Sequence, residues 1–293
     1  MKLFLGHGLK FFATALAILL LCESMYFYLG YYQDKVNGSE VYYALTKSKS
    51  QVNKKYRVLI IGDSVALQLY PATKDYDDII SLTCNAAISI AGFYFLMNNY
   101  FKTNPNFLPD EVIFLVNPFT LSNNLSVLSF HYFLKPFYND EYYPEITPSL
   151  LDSIHEIPYY WLSQVPFVRS SSYCVNYSLD PPKWAWISPI ANDYLRKSYE
   201  LAESKNVKFK LIPSPIRLDR ENEIMSAIQA SINNKESDLL NLDIMQNYIS
   251  MINFMDTSCF FDNIHFKTQD IPKAYLIQYD KLSTSYNHYN GSV

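Results

Sequence analysis

Short apolar runs alternate with amphipathic stretches along most of the chain after residue 56. Four of these runs have the length and composition of buried strands, namely Arg57–Ile61, Asp78–Cys84, Glu111–Val116 and Val207–Ile212. Periodic or apolar stretches predict helices at residues 90–101, from a cap at Asn192 or Asp193, and at about 221–231, 238–253 and 271–282. Strands that alternate with helices indicate an α/β fold with a parallel sheet covered on both faces.

The N-terminus carries a separate apolar run, Phe11–Leu21, which follows two lysines and continues into an aromatic stretch. A helix over residues 11–32 would be about 33 Å long, which matches the hydrocarbon core of a bilayer. We therefore predict that residues 1–33 are an uncleaved signal anchor, with the lysines cytoplasmic and the bulk of the chain extracytoplasmic. A cleaved signal peptide and a lipoprotein acylated at Cys22 are the alternatives.

The rest of the chain divides into a polar segment and one large domain. Residues 34–55 are rich in Lys, Ser and Asn and predict a tether, and residues 56–293 form the domain. Within the domain, residues 119–190 are rich in proline and aromatic residues and keep no regular period, so we predict an insertion that covers one end of the sheet. A set of short core helices is the alternative for its middle part. His131 and His155 lie in this insertion, where we expect packing or surface roles.

Composition excludes several classes of function. The 293 residues include only 7 glycines, and neither the dinucleotide fingerprint nor the P-loop sequence occurs. A net charge of −4 without a long basic run argues against a nucleic-acid partner. No metal-binding spacing of His, Cys, Asp or Glu occurs, so we expect neither a metal nor a cofactor. Cys84, Cys174 and Cys259 leave open whether two of them pair or all remain free thiols.

Three polar motifs lie at functionally relevant positions. Two of them follow predicted strands, and the third lies just before the last predicted helix. They are Gly62-Asp63-Ser64, Asn117 and Asp262-x-x-His265. A glycine allows the chain to turn sharply at a strand end, and a serine in such a turn presents its hydroxyl to a cleft. That serine needs a base and a carboxylate that orients the base, which Asp262 and His265 supply from one short loop. In parallel sheets such chemistry gathers at the carboxyl ends of the strands.

These motifs resemble those of the SGNH (GDSL-type) hydrolases. The stretch VLIIGDSVALQLY (58–70) is similar to the family's first motif block, and FFDNIHF (260–266) is similar to its last. The resemblance implies a three-layer α/β/α sandwich with a mainly parallel, flavodoxin-like sheet. It also implies that Ser64 is the nucleophile, His265 the general base and Asp262 the acid that orients it.

An oxyanion hole with three donors is a further implication of the resemblance. The backbone amide of Ser64 is one donor, and the side chain of Asn117 is another, although Asn117 departs from the family's Gly-x-Asn-Asp at both flanks. Gly92 is the predicted third donor, and it lies about two residues later than the family pattern expects. The amides of Ser89 and Ile90 are the alternatives.

Family members at the outer face of bacterial membranes often act on acyl groups of envelope polysaccharides. The resemblance therefore implies an esterase or O-acyltransferase whose substrate is an acylated glycan or another ester. We expect attachment to the membrane through the N-terminal helix, and a membrane-bound acyl-transfer partner is a further expectation. A non-catalytic SGNH-like scaffold or glycan-binding subunit of an envelope modification or export complex is the alternative. A lipase-like enzyme that acts on membrane lipid is a third hypothesis.

Overall fold

Four parallel strands form the main sheet of the computed structural model, which describes residues 2–28, 39–125, 133–156 and 184–267. The strands are β1 (Val58–Gly62), β2 (Ile79–Ser81), β3 (Glu111–Val116) and β4 (Lys208–Pro213). Their order is β2-β1-β3-β4, and every pair is parallel. The predicted α/β class with a parallel sheet is thereby confirmed.

Both faces of the sheet are covered, because alternate side chains of β1 enter two different apolar clusters. Leu59 and Ile61 belong to the larger cluster, whereas Val58 and Ile60 belong to the smaller one. Successive side chains of a strand point to opposite faces, so a strand with apolar residues at every position is buried on both sides. This explains why β1 and β3 are buried along their whole lengths.

Helices precede and follow the strands along the chain, and all the described ones but the first contribute buried residues to the two clusters. They are α1 (Lys2–Tyr28), α2 (Ser39–Ser48), α3 (Ser64–Leu69), α4 (Ser89–Thr103), α5 (Pro148–His155), α6 (Pro189–Ser204), α7 (Glu221–Asn233) and α8 (Asp243–Ser250). A small second sheet pairs β5 (Ile216–Arg217) with β6 (Phe254–Met255). Helices α4 and α6 pack on each other in the larger cluster, where aromatic rings meet at centroid distances of 5.3 to 5.5 Å between Phe95 and both Phe137 and Tyr194.

Two predicted helix boundaries differ from the observed ones. Helix α6 begins at Pro189 rather than near Asn192, because the hydroxyl of Ser188 caps it by accepting from the Ala191 amide at 3.0 Å and proline suits the first helical position. The helix predicted over 238–253 is a 3₁₀ turn, Asp238–Asn241, followed by α8. The last predicted helix, 271–282, lies outside the described residues.

Part of the predicted tether is packed on the domain. Helix α2 lies within residues 34–55, and Val41 and Ala44 are 1% and 0% exposed in the larger cluster. Asn99 of α4 donates its side-chain amide to the hydroxyl of Ser48 at 3.2 Å. Apolar residues spaced by three positions give α2 one face toward the core, although its average composition is polar. The prediction of a tether therefore does not hold for residues 39–48.

Short helices of the predicted insertion also contribute to the core. Phe137, Tyr142 and Leu150 lie in the larger cluster, which agrees with the alternative of short core helices for the middle of this segment. Trp186 is 1% exposed, and its indole N–H donates to the carbonyl of Pro118 at 3.2 Å. His155 is exposed at the end of α5. Residues 126–132, with His131, and residues 157–183 lie outside the described residues.

The N-terminal apolar run lies within α1, where Phe11 and Phe12 are exposed. In the described parts of the chain, no helix combines the length and the apolar character that crossing a membrane requires. The signal anchor over residues 1–33 stays a prediction from the sequence.

Three cysteines carry free thiols in the described residues, namely Cys22, Cys84 and Cys259. Cys174 lies outside the described residues. Burial raises the pKa of the Cys84 thiol, which keeps it protonated. Cys84 is therefore a core side chain rather than a nucleophile.

Candidate active site

The proposed nucleophile stands at the junction of β1 and α3. Strand β1 ends at Gly62 and α3 begins at Ser64, so Asp63 alone makes the turn. One carboxylate oxygen of Asp63 accepts from the amides of Val65 at 3.0 Å and Ala66 at 3.2 Å, which is an N-terminal helix cap. The cap fixes Ser64 as the first residue of α3, at the carboxyl end of the sheet.

Gly62 is required by close packing rather than by an unusual backbone angle. A Cβ atom at this position would lie 2.1 Å from the carbonyl oxygen of Leu115 and 2.5 Å from the Cβ of Ala66. Its φ angle does not lie in the left-handed region. The sharp turn inferred from the sequence is real, but the reason for glycine is that β3 and α3 both approach its Cα.

The second carboxylate oxygen of Asp63 joins the ends of β1 and β3. It accepts from the backbone amide of Asn117 at 2.5 Å and from the hydroxyl of Thr120 at 2.8 Å. Asp63 is 1% exposed, and this burial raises its pKa against the opposing effect of its hydrogen bonds. Sequence reasoning assigned no role to Thr120 and treated Asp63 only as part of a motif. The position of Asp63 between a buried strand and a serine was the feature of the sequence that could have indicated its structural role.

Ser64, His265 and Asp262 form a continuous hydrogen-bonded chain. The Nε2 atom of His265 lies 2.8 Å from the hydroxyl of Ser64, and its Nδ1 atom lies 2.7 Å from a carboxylate oxygen of Asp262. The side chains of His265 and Asp262 are 33% and 41% exposed, so the chain lies at the surface, where a substrate can reach it. The structure thus brings together the three residues that the sequence singled out.

The other oxygen of Asp262 organises the loop itself. It accepts from the amides of Ile264 at 2.7 Å and His265 at 2.6 Å. Although partial burial opposes the shift, hydrogen bonds from the His265 amide and imidazole and from the Ile264 amide lower the pKa of Asp262. An ionised Asp262 holds a proton on Nδ1 of His265 and leaves Nε2 to accept the proton of Ser64.

A serine, a histidine and an aspartate arranged in this way can transfer an acyl group through a covalent intermediate. Comparison with protein-family models, with curated proteins and with solved structures found no match. Across the described segments, no group of three or more His, Cys, Asp or Glu side chains is arranged to hold a metal ion.

Asn117 lies beside the turn that carries Ser64. It directly follows β3 and is 3% exposed. Its side-chain oxygen accepts from the amide of Phe119 at 3.1 Å, so the NH₂ group of its carboxamide is the end left for another acceptor. Together with the bond from its backbone amide to Asp63, this contact gives Asn117 a fixed orientation, as a preorganised oxyanion donor requires.

Close packing explains why a glycine occupies position 92. Gly92 is the fourth residue of α4, and a Cβ atom there would lie 2.6 Å from the side chain of Ile88. An amide at this helical position already has an acceptor one turn earlier, whereas the first-turn amides do not. The Ser89 amide donates to the carbonyl of Ala86. Among the donors considered from sequence, the Ile90 amide is therefore the one that its helix leaves without an acceptor.

Ser89 itself adopts an unusual backbone conformation. Its φ and ψ angles are 55° and −177°, in a region that residues other than glycine rarely occupy. The residue is fully buried, and its hydroxyl accepts from the amide of Ala91 at 3.2 Å. This conformation turns the chain from the 3₁₀ turn Ala86–Ile88 into α4, and it sets the direction in which the first-turn amides point.

Proposed function

We propose that this protein is a serine esterase or O-acyltransferase of the SGNH type, built as a three-layer α/β/α sandwich with a flavodoxin-like sheet. The single observation that carries the proposal is the hydrogen-bonded chain from Ser64 through His265 to Asp262. The strand order β2-β1-β3-β4 and the two apolar clusters support the proposed architecture. A scaffold or glycan-binding subunit has no need of all three residues in this geometry, which favours the enzyme over that alternative.

The first step of the proposed reaction is attack by the Ser64 oxygen on an ester carbonyl while Nε2 of His265 takes the hydroxyl proton. The carbonyl oxygen becomes negatively charged. The Ser64 amide, the Asn117 carboxamide and the Ile90 amide stabilise that charge, and one such donor is worth about 10²- to 10³-fold in rate. The C–O bond to the leaving alcohol then breaks, and His265 returns the proton to the alcohol.

The second step releases the acyl group. His265 takes a proton from a water molecule or from an acceptor hydroxyl, whose oxygen attacks the acyl-serine carbonyl. The bond to Ser64 breaks, and the proton passes to the Ser64 oxygen. The two outcomes, hydrolysis and transfer, differ only in the nucleophile that reaches the intermediate.

Acetyl groups on a cell-envelope polysaccharide are the substrate that we propose. Phe261 supports this class, because its side chain is 73% exposed next to Asp262 and offers a ring to the apolar face of a sugar. We further propose that residues 1–33 attach the protein to the membrane, with a membrane-bound partner that supplies or accepts the acyl group.

Labelling with a fluorophosphonate probe tests the proposal on the full chain in detergent. We expect covalent labelling and turnover of an aryl acetate, both lost in Ser64→Ala and retained in Ser204→Ala, which removes an exposed hydroxyl bonded only to its own helix. Mass spectrometry of the products with and without added polysaccharide separates hydrolysis from transfer. A folded wild-type protein that shows neither labelling nor turnover would exclude the enzyme and favour the scaffold.

A further inference from the structure

The loop that carries Asp262 and His265 is closed by its own residues. Phe260 and Phe266 form a β-bridge, and their rings stack with centroids 4.7 Å apart. The Phe261 amide donates to the carbonyl of His265 at 2.8 Å. These contacts fix the shape of the loop and the Asp262–His265 pair within it. They do not place the loop relative to Ser64, which lies on a different element.

Gln68 makes the connection between the loop and α3. Its side-chain oxygen accepts from the Phe266 amide at 3.1 Å, and its side-chain NH₂ donates to the Phe266 carbonyl at 3.1 Å. The carboxamide thus pairs with both backbone groups of one residue, as a neighbouring strand would. Val65 adds an apolar contact, since it clusters with Phe260 and Phe266.

Ser64 and Gln68 of α3 contact two adjacent residues of the loop, His265 and Phe266. Gln68 follows Ser64 by four positions, so both lie on the same side of the helix, about 6 Å apart along its axis. On the loop, Phe266 directly follows His265. Gln68 therefore contacts Phe266 while Ser64 contacts His265, and the rigid helix sets the separation of the two contacts.

We propose that Gln68 is a positioning residue that holds His265 in hydrogen-bonding distance of Ser64 through its paired bonds to Phe266. This inference rests on the proposed function of the triad. The hydrogen bonds that the Gln68 side chain makes in the described residues go to Phe266 and to no triad side chain, so it acts on the register between α3 and the loop. Without the paired bonds, the imidazole moves relative to the hydroxyl, and a displacement near 1 Å costs about 100-fold in rate.

Arg217 holds a different part of the loop from Gln68. We therefore expect its contacts to remain when Gln68 is replaced. One guanidinium nitrogen of Arg217 donates to the Asp262 carbonyl and to the Asn263 side chain, both at 3.0 Å. The Asp262–His265 pair is formed within the loop. Loss of Gln68 should therefore reduce turnover without changing the pairing that determines how the rate depends on pH.

The test is Gln68→Met in the full chain, because methionine keeps the length of the side chain and removes both hydrogen bonds. We expect kcat for an aryl acetate to fall about 10- to 100-fold, with KM within about twofold and the midpoint of the pH profile unchanged. The matched control is Gln246→Met, since Gln246 also donates to a backbone carbonyl, that of Leu240 at 2.6 Å, on α8. This variant should keep wild-type kcat.

A double variant separates positioning from general structural damage. In a His265→Ala background there is no base to place, so adding Gln68→Met should change the residual rate by less than about twofold. A wild-type kcat in Gln68→Met, or an equal loss in both backgrounds, would overturn the inference.

Hydrogen exchange gives a readout that does not depend on activity. The peptide containing Phe266 should exchange faster in Gln68→Met than in the wild type, while Gln246→Met leaves it unchanged. If the wild type has no esterase activity, the proposed function fails and this measurement alone decides: faster exchange supports Gln68 as the anchor of the loop, and unchanged exchange refutes it.

Discussion

Gly62→Ala gives the sharpest test of how the nucleophile turn is built. The added methyl group would lie 2.1 Å from the Leu115 carbonyl oxygen and 2.5 Å from the Ala66 Cβ. Ordinary contact between such atoms begins near 3.5 Å, so either β3 or α3 must move by about 1 Å. Neither can move freely, because β3 is paired on both sides in the sheet and α3 is capped by Asp63.

The expected cost follows from the nature of the atoms that clash. Overpacking of a core costs about 1 to 3 kcal/mol when side chains can adjust. Here the closest atom belongs to the backbone of a central strand, so we expect a loss of about 3 kcal/mol or more in the free energy of unfolding. Leu115 lies two residues before Asn117, so the same displacement should slow labelling of Ser64 by about 100-fold.

Two further glycines provide graded controls. The nearest atoms to a methyl group in Gly92→Ala belong to the Ile88 side chain, at 2.6 Å, and the substitution gains helix propensity of about 1 kcal/mol, so it should cost less stability than Gly62→Ala. Gly8→Ala on α1 meets nothing within 4 Å and should be neutral or slightly stabilising. Urea unfolding followed by circular dichroism measures all three. A Gly62→Ala variant within about 0.5 kcal/mol of the wild type would refute the packing argument, because a clash of that size cannot be neutral.

Two other predictions concern charged groups. Although burial opposes the shift, hydrogen bonds from Tyr94 and Lys197 and nearby lysine charges lower the pKa of Glu145 to about 2. Stability from this group is present above its unfolded pKa and is lost as pH falls from about 4 toward 2. Glu145→Gln should lower the free energy of unfolding by about 1 to 2 kcal/mol at pH 7, after allowance for solvent screening. In urea titrations at different pH values, the variant should lose less stability than the wild type as the pH falls. Substitution of the exposed Glu141 by Gln should cost under about 0.5 kcal/mol of unfolding free energy. Asp262→Asn should lower kcat/KM for an aryl acetate about 10⁴-fold by favouring the wrong tautomer of the base, with unfolding nearly unchanged; a loss below tenfold would contradict the triad.

The sequence predicts the two central strands well, because β1 and β3 are buried along their whole lengths. The prediction for β3 has the bounds that the structure shows, Glu111–Val116, since a strand covered on both faces is a nearly continuous apolar run and every residue of β3 after Glu111 is apolar. Helix α2 was missed for the opposite reason. Only Val41 and Ala44 among its apolar residues are fully buried, so average composition suggested a solvated tether while one face was sufficient for packing.

The two aspartates of the site show why one role was visible in the sequence and the other was not. In Asp63 and in Asp262, one carboxylate oxygen accepts the backbone amides two and three residues ahead, which builds a local turn. The second oxygen of Asp262 bonds His265, three positions away, so the whole arrangement fits within one motif. That of Asp63 bonds Asn117 and Thr120, which are 54 and 57 positions away. Only the fold brings these donors to Asp63, and the same holds for Gln68, whose partner is 198 positions away. Local motifs thus identify the groups for which we propose a chemical role, whereas the groups that hold them in register depend on contacts between distant parts of the chain.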